Sequence, residues 1–428
     1  MTDPVSPNSD PSDSPSPENT NTPAEAATPT NDATTATNGA ADSATDAVAE
    51  AARRSSLARG LSSTAVLGAG ELSQTPIHYG APLREQRVLE EKNGLVDLAH
   101  LRVLRLSGPD RLTWLNSITT QKIDQLAPGV STETLVLDPN GRIEGWLKIV
   151  DDGEALWAVS ELNTDATLDF LRKMVFMMRV EIEDLSDEYQ CFGAVTSLPE
   201  TLPVTQLWAD PWPHIGSGSA SYAQIDLGQS VVGTDHPGLE TPFVIGIVKR
   251  SDLQGLSARD FEMAGFDAWE ALRIAAWRPG KNEIDHKALV GELDLLRTSV
   301  HLAKGCYRGQ EAVARVHNLG QPPRRLVFVH LDGSGHIAPE PGTEVLAEVR
   351  GSERGAGTLT SVTAHWELGP IGLAVVKRNL SPDAALSFEI SDGERVVGAQ
   401  ETIVVPVREH ERTLPERNKD VDARNQKR

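Results

Sequence analysis

The chain has 428 residues, of which 39% are hydrophobic and 24% charged, and it carries a formal net charge of −21 at pH 7. That length predicts two or three domains, and that charge argues against general nucleic-acid binding, which needs a basic surface to neutralise phosphates. Two cysteines make no disulfide framework, the 11 histidines show no ligand spacing, and no apolar run is long enough to span a membrane; a cytoplasmic chain without a metal site is expected.

Residues 1–75 read as a disordered, acidic, low-complexity extension. The first 50 are dominated by Ser, Thr, Pro, Ala, Asn and Asp and contain no Lys, Arg or aromatic residue. Such a segment buries too little apolar surface to offset its ordering entropy. Arg53-Arg54 is not followed by an apolar core, so no secretory signal is read there. Folding is expected to begin near Thr75-Pro76. Val103–Ser107 reads as a strand, and Asp110 is placed as the cap of a helix through Leu112, Leu115 and Ile118. Thr134–Leu137 and Trp146–Val150 flank Asp138-Pro139-Asn140-Gly141, a hairpin signal through its Asn-Gly step. Leu156–Val159 continues the sheet.

Asn163 or Thr164 caps the next predicted helix, with Leu168, Leu171, Val175 and Met178 on one face. Met174, Met177 and Met178 are read as core filler. Val180–Glu183 resumes a strand, and Cys191 falls in another, Tyr189–Val195, where burial is expected. Residues 200–240, rich in Pro, Gly and Ser, read as an irregular insert. Asp267 is placed as the cap of a helix carrying Trp269, Leu272 and Ala276, ended by Pro279-Gly280. Strands and helices interleaved through hairpins predict an α+β fold. Beyond Pro322-Pro323, short apolar runs (Leu326–Leu331, Thr358–Val362, Ile371–Val376, Leu386–Ile390, Thr402–Val405) alternate with turn residues, the pattern of a small all-β barrel or sandwich.

Lys304-Gly305-Cys306-Tyr307-Arg308-Gly309-Gln310-Glu311 is the most informative stretch. Its glycines let the backbone turn and expose the thiol, and the Lys304 and Arg308 cations favour thiolate over thiol. On chemistry alone a buried Cys306 in a tight turn stays open. Gln310 and Glu311 are read as organising the loop, Glu311 by accepting backbone N–H groups or by pairing with Arg315. Trp269 is either a stacking face for a heterocycle or a core side chain. Asp285-His286-Lys287 is a weak acid–base candidate, because adjacent loop residues seldom converge on one substrate. Arg324 and Arg325 crowd the same basic stretch, which is compatible with small anionic ligands, although for these two a solvated loop is expected.

The motif, followed by Ala314-Arg315, resembles the K-G-C-[FY]-x-G-Q-E signature of the YgfZ-type folate-binding proteins, relatives of the glycine cleavage T-protein that support iron–sulfur enzyme maturation. The resemblance runs from about Leu83 to about Val407. Trp269–Ile274 is similar to the family's W-x-A-L-x-I segment, and Gly357–Ser361 with Gly369–Ala374 to its barrel. It implies two interleaved α+β lobes around a folate cavity over residues 76–322, a C-terminal β-barrel over 323–408 and a charged tail over 409–428.

The same resemblance implies tetrahydrofolate or a derivative bound against Trp269, with Leu101 standing where some relatives have a second cavity tryptophan. Cys306 is then the functional thiol, held at the cavity mouth, with Lys304 lowering its pKa and Glu311 supporting the loop; Gly305, Tyr307, Arg308, Gly309, Gln310 and Arg315 complete the motif. The implied protein is a monomer that serves iron–sulfur client or assembly proteins, without membrane or direct nucleic-acid partners. The carboxylate aligned with Ala275 in relatives is missing, which leaves the partner of the pterin edge unassigned. Asn140-Gly141-Arg142-Ile143 resembles the aminomethyl transferases, whose functional aspartates follow the equivalent isoleucine. Here Glu144 comes one residue early, which in a strand turns it to the opposite face. A folate-dependent aminomethyl or one-carbon transferase or demethylase is the alternative, and whether the chain is an enzyme is left open.

Overall fold

The computed structural model describes residues 65–91, 94–223, 236–254, 256, 261–319, 322–390 and 393–405. Residues 1–64 of the expected extension and the charged tail lie outside the described residues. Strand β1 (Val66–Leu67) pairs antiparallel with β2 (Pro76–His78), so described structure begins ahead of Thr75-Pro76. Helix α1 (Pro82–Glu90) starts on a proline, whose missing N–H is unneeded in the first turn. Strand β3 (Gly94–Asp97) follows.

The chain then leaves β3 to build a complete antiparallel sheet elsewhere. This sheet comprises β4 (Arg102–Ser107), β5 (Ser131–Leu137), β6 (Ile143–Asp151), β7 (Ala155–Ser160) and β8 (Glu181–Asp184), in the order β5-β6-β7-β4-β8. The chain returns to β3 to make a second sheet from β9 (Tyr189–Val195), β10 (Val204–Ala209), β11 (Phe243–Lys249) and β12 (Glu262–Ala264), in the order β10-β11-β9-β3-β12. This return is what interleaves the two α+β lobes.

Side-chain alternation explains the layering. Leu104, Leu106, Leu147, Ile149, Leu156 and Ala158 face helices α2 (Arg111–Ile118) and α3 (Thr164–Met174). Val103, Val150, Trp157 and Val159 face the other way and join Cys191, Val195, Ile245 and Ile247 of the second sheet in one core. Helix α4 (Phe266–Ala275) closes that core with Ala268 and Leu272. After α5 (Gln310–Leu319), strands β13 (Arg324–Leu331), β14 (Glu344–Val349), β15 (Ser352–His365), β16 (Gly369–Lys377), β17 (Leu386–Glu389) and β18 (Arg395–Thr402) form a closed barrel, β13-β16-β15-β14-β17-β18.

Several local expectations are corrected. The stretch read as an irregular insert contains β10, which hydrogen-bonds to β11; its residues 224–235 lie outside the described residues. Asp110 occupies the N-cap position of α2 as expected, but its carboxylate makes no capping hydrogen bond; it accepts the Arg179 guanidinium and backbone N–H groups instead, which pull its pKa down to about 2. Gly265, not Asp267, occupies the cap of α4. Met174, Met177 and Met178 are exposed rather than core, at 42%, 83% and 38%. Helix α3 ends at Met174, and Phe176 at φ +44° turns the chain away from the predicted stripe. In the barrel, β14 was not expected, and β18 precedes the run Thr402–Val405 instead of coinciding with it.

Candidate functional site

The thiol loop is built on the β5–β6 hairpin. Asp138 Oδ1 accepts Asn140 N at 2.7 Å and Arg142 N at 2.8 Å, and Gly141 adopts φ +80°, as the Asn-Gly step requires. The first turn of α5 rests on this turn. A Cβ on Gly309, itself at φ +83°, would lie 2.6 Å from Asp138 O, and one on Gly141 would lie 2.9 Å from the Ala312 Cβ. Glycine is required at both positions.

Within the motif, Gly305 and Cys306 are exposed, and Cys306 is a free thiol. Cys191 is fully buried, and burial raises its pKa to about 12. Tyr307 is buried in the core shared with the barrel. Arg308 donates to Glu144 Oε2 at 2.8 Å and lies over the Phe170 ring. Gln310 Nε2 donates to Lys304 O at 3.2 Å, closing the loop, whereas Glu311 pairs with Arg315 on the exposed face of α5.

Lys304 does not have the role expected of it. Its ammonium is buried and donates to Asn116 O at 2.5 Å, Thr119 O at 2.7 Å and Gln121 O at 2.8 Å. An ammonium has three N–H donors, so none is left for the thiol. The acceptors lie at the C-terminal end of α2, where unpaired carbonyls and the negative end of the helix dipole favour a cation. Burial pushes the Lys304 pKa down to about 8, which leaves it protonated at neutral pH.

The basic stretch is likewise dispersed. Arg324 and Arg325 belong to β13 and not to a solvated loop: Arg324 pairs with Asp285 and Glu292, and Arg325 is fully buried. Asp285-His286-Lys287 is exposed, with Asp285 committed to Arg324.

A cavity of about 140 Å³, roughly ten times what one water needs on that measure, lies elsewhere and is lined from both sheets and by α4. Trp269 and Leu101 both line it, and no residue of 304–311 does, so Cys306 is not at its mouth as expected. Trp269 is half-buried beside Phe243, ring centroids 4.5 Å apart. It sits over Gly193, where a Cβ would come within 2.5 Å of the indole. Glu144, at a register shift between β5 and β6, is exposed and does not line the cavity, whereas Trp146, two residues on, does.

Three carboxylates line the cavity, and two of them, Glu270 and Asp210, are each held by a buried arginine. Glu270 takes two bonds from Arg273, at 2.8 and 2.7 Å, and Arg273 is anchored in turn by Glu283 and Ser361 of the barrel. Asp210 shares Arg278 with Glu133, at 3.0 and 2.7 Å. Burial and the Glu133 charge raise the Asp210 carboxyl above its ordinary range despite Arg278. Burial alone would raise Glu133 too, but Arg278 and the hydroxyls of Thr298 and Ser299 outweigh it and hold it low. Glu161, Lys148 and Lys281 add charge at the cavity wall. Glu270 was legible as the neighbour of Trp269, i−3 from an arginine. Asp210, Arg278 and Lys281 carried no local signal. Among the described residues no group of three or more His, Cys, Asp or Glu side chains is placed to hold a metal, and no helix is long and apolar enough to cross a membrane.

Residues 62–195 match the GCVT N-terminal domain family. The solved glycine cleavage system aminomethyltransferase T of Bartonella henselae superposes with a TM-score of 0.61 at 16% identity, over 80% of this chain and 94% of that one. The fold is therefore that of the glycine cleavage T-protein-like proteins. The tRNA-modifying protein YgfZ of Yersinia pseudotuberculosis is 25% identical over 68% of this chain and 87% of its own length. A putative transferase of Arabidopsis thaliana, chloroplastic by name, is 26% identical over 74% and 72%. Within that class, the chain is similar to the YgfZ-type proteins.

Proposed function

We propose that the chain binds tetrahydrofolate or a derivative in the Trp269 cavity and supports iron–sulfur cluster assembly or repair in client enzymes through Cys306. The observation that carries the thiol role is the exposure of Cys306 on a loop held in place by Lys304, Arg308 and Gln310. The cavity residues fit a reduced pterin: Trp269 offers a ring face, Leu101 an apolar wall, and Glu270 and Asp210 acceptors for ring N–H and amino groups. Bound folate supplies a one-carbon carrier or a redox-sensitive ring, and the protein's part is to stack, orient and shield it. One cysteine cannot hold a four-thiolate cluster, so the cluster or its remaining ligands come from a partner. The formal net charge of −21 favours a role on enzymes, including those that modify tRNA, over contact with tRNA itself.

The test is complementation of a strain lacking its YgfZ-type protein, with an iron–sulfur enzyme activity as readout. The intact chain is expected to restore activity and Cys306→Ser to fail while still binding folate; equal rescue by both refutes the thiol role. A folate-dependent aminomethyl or one-carbon transferase is the second reading, favoured by the carboxylates Asp210 and Glu270 in the cavity. It requires substrate-dependent formation of methylene-tetrahydrofolate by the purified chain.

A further inference from the structure

One end of the cavity is covered by the first described segment of the chain. Residues 68–75 fold back on themselves, Gly68 N donating to Thr75 O at 3.1 Å, with a single 3-10 turn at Gly70–Leu72. Leu72 forms part of the cavity wall. No side chain of that turn is buried, so core packing does little to hold it down. Polar ties do so instead. Thr75 and His100 are joined by hydrogen bonds of 3.0 and 3.1 Å, and the Glu71 carboxylate reaches Lys281 Nζ at 2.8 Å.

Lys281 sits at a junction. Together with His100 and Glu161 it lines both the cavity and an adjoining charged depression that also contains Glu71, Arg102 and Asp165. Its side chain is 25% exposed and lies 3.3 Å from Glu161, which His100 also approaches at 3.6 Å. Glu71, by contrast, is 80% exposed. A mostly buried ammonium needs carboxylate partners, whereas an exposed carboxylate gives up such a pair at little cost. The Glu71–Lys281 contact is therefore the exchangeable one.

We propose that residues 68–75 form a latch over the cavity and that Glu71 occupies, on Lys281, the site of a ligand carboxylate. The ligand is then a flat heterocycle with a carboxylate-bearing tail, the ring against Trp269 and the tail passing Lys281 into the charged depression. This assignment rests on the folate reading of the cavity and adds to it the tail subsite and its internal competitor.

Binding of 5-formyltetrahydrofolate and of the tail-less 6-methyltetrahydropterin, measured by calorimetry on the full chain, tests it. Glu71→Gln is expected to tighten the folate two- to fivefold, the range of an exposed ion pair. Lys281→Met is expected to weaken the folate at least fivefold, and both variants leave the pterin within twofold. Unchanged folate affinity in Lys281→Met, or parallel changes for both probes, overturns the tail subsite while the folate reading stands. If the wild-type chain binds neither probe, the folate reading falls and the ligand assignment with it. Hydrogen exchange without ligand checks the latch separately: the amides of 68–75 are expected to exchange faster in Glu71→Gln, and equal rates overturn the latch.

Discussion

Replacing Lys304 by methionine separates two roles that a lysine two residues before a reactive cysteine can have. In the structure the ammonium satisfies three carbonyls at the end of α2, and the bonds to Thr119 O and Gln121 O are buried. Methionine fills similar space but donates nothing. Two buried acceptors are orphaned at about 1–3 kcal/mol each, and the helix end loses a compensating cation worth roughly 0.3–1 kcal/mol. Against this, an ammonium no longer has to be buried, which returns part of the cost. The net loss is about 2–4 kcal/mol, or roughly 3–6 °C in Tm for a chain of this size. Thermal unfolding measures it, and the rate of Cys306 alkylation at 20 °C supplies the second readout. The expected result is a lowered Tm with the alkylation rate of the folded variant within about threefold of wild type. An unchanged Tm with a tenfold slower thiol would refute the reasoning and return Lys304 to the thiol.

Three further outcomes follow from the cavity and its surroundings. Arg278→Met strands Glu133 and Asp210 without their shared cation, and breaking such a buried pair costs about 3–5 kcal/mol; urea unfolding is expected to show it, and a loss under 1 kcal/mol would contradict the shared-cation picture. Gly193→Ala drives a Cβ into the Trp269 indole, so it should destabilise by about 1–3 kcal/mol and weaken folate binding together; loss of neither would mean that the indole moves freely. Burial holds His236 at a pKa of about 3, from an ordinary 6.5, between the rings of Trp212 and Trp277. Between those pH values the unfolded chain binds one more proton than the folded one, so stability falls as pH drops below about 6.5, by up to about 1.4 kcal/mol per unit. His236→Gln should flatten that slope by one proton; identical slopes would show that His236 is protonated in the fold.

What the sequence revealed was what local chemistry dictates. The Asn140-Gly141 hairpin, the strands β4 and β7, the barrel's punctuated apolar runs and the Cys306 turn each depend on residues close in sequence. Trp269 and Leu101 were placed in the cavity by resemblance, and both line it. The polar half of the cavity was not legible, because it is assembled at long range: Arg278 meets Glu133 and Asp210, residues 145 and 68 positions away. Asp210 lies just after a strand that a Pro- and Gly-rich composition concealed. Lys304 failed for the same reason. Its neighbours in sequence suggested the thiol, and its partners in space are carbonyls nearly 190 residues earlier. The methionines failed in the opposite way, since a helical stripe was extended past a helix that stops.

The cavity and the thiol loop are separate sites, yet one hairpin serves both. Strand β5 carries Glu133 beside Arg278, and β6 carries Trp146 and Lys148 into the cavity wall. The other end of the same hairpin is the turn on which Gly309 and Ala312 rest. Glu144, which holds Arg308, precedes Trp146 by two residues, about 7 Å along the strand. The loop that presents Cys306 is therefore seated on the strand that walls the ligand cavity, without thiol and ligand having to touch. This division of labour accounts for the features that do not suit a transferase: the carboxylate at position 144 ties down the thiol loop, and a tryptophan stands where the strand faces the cavity. It also explains why the motif needs glycine at 309 and the hairpin at 141, since a side chain at either would lift the thiol loop off its support.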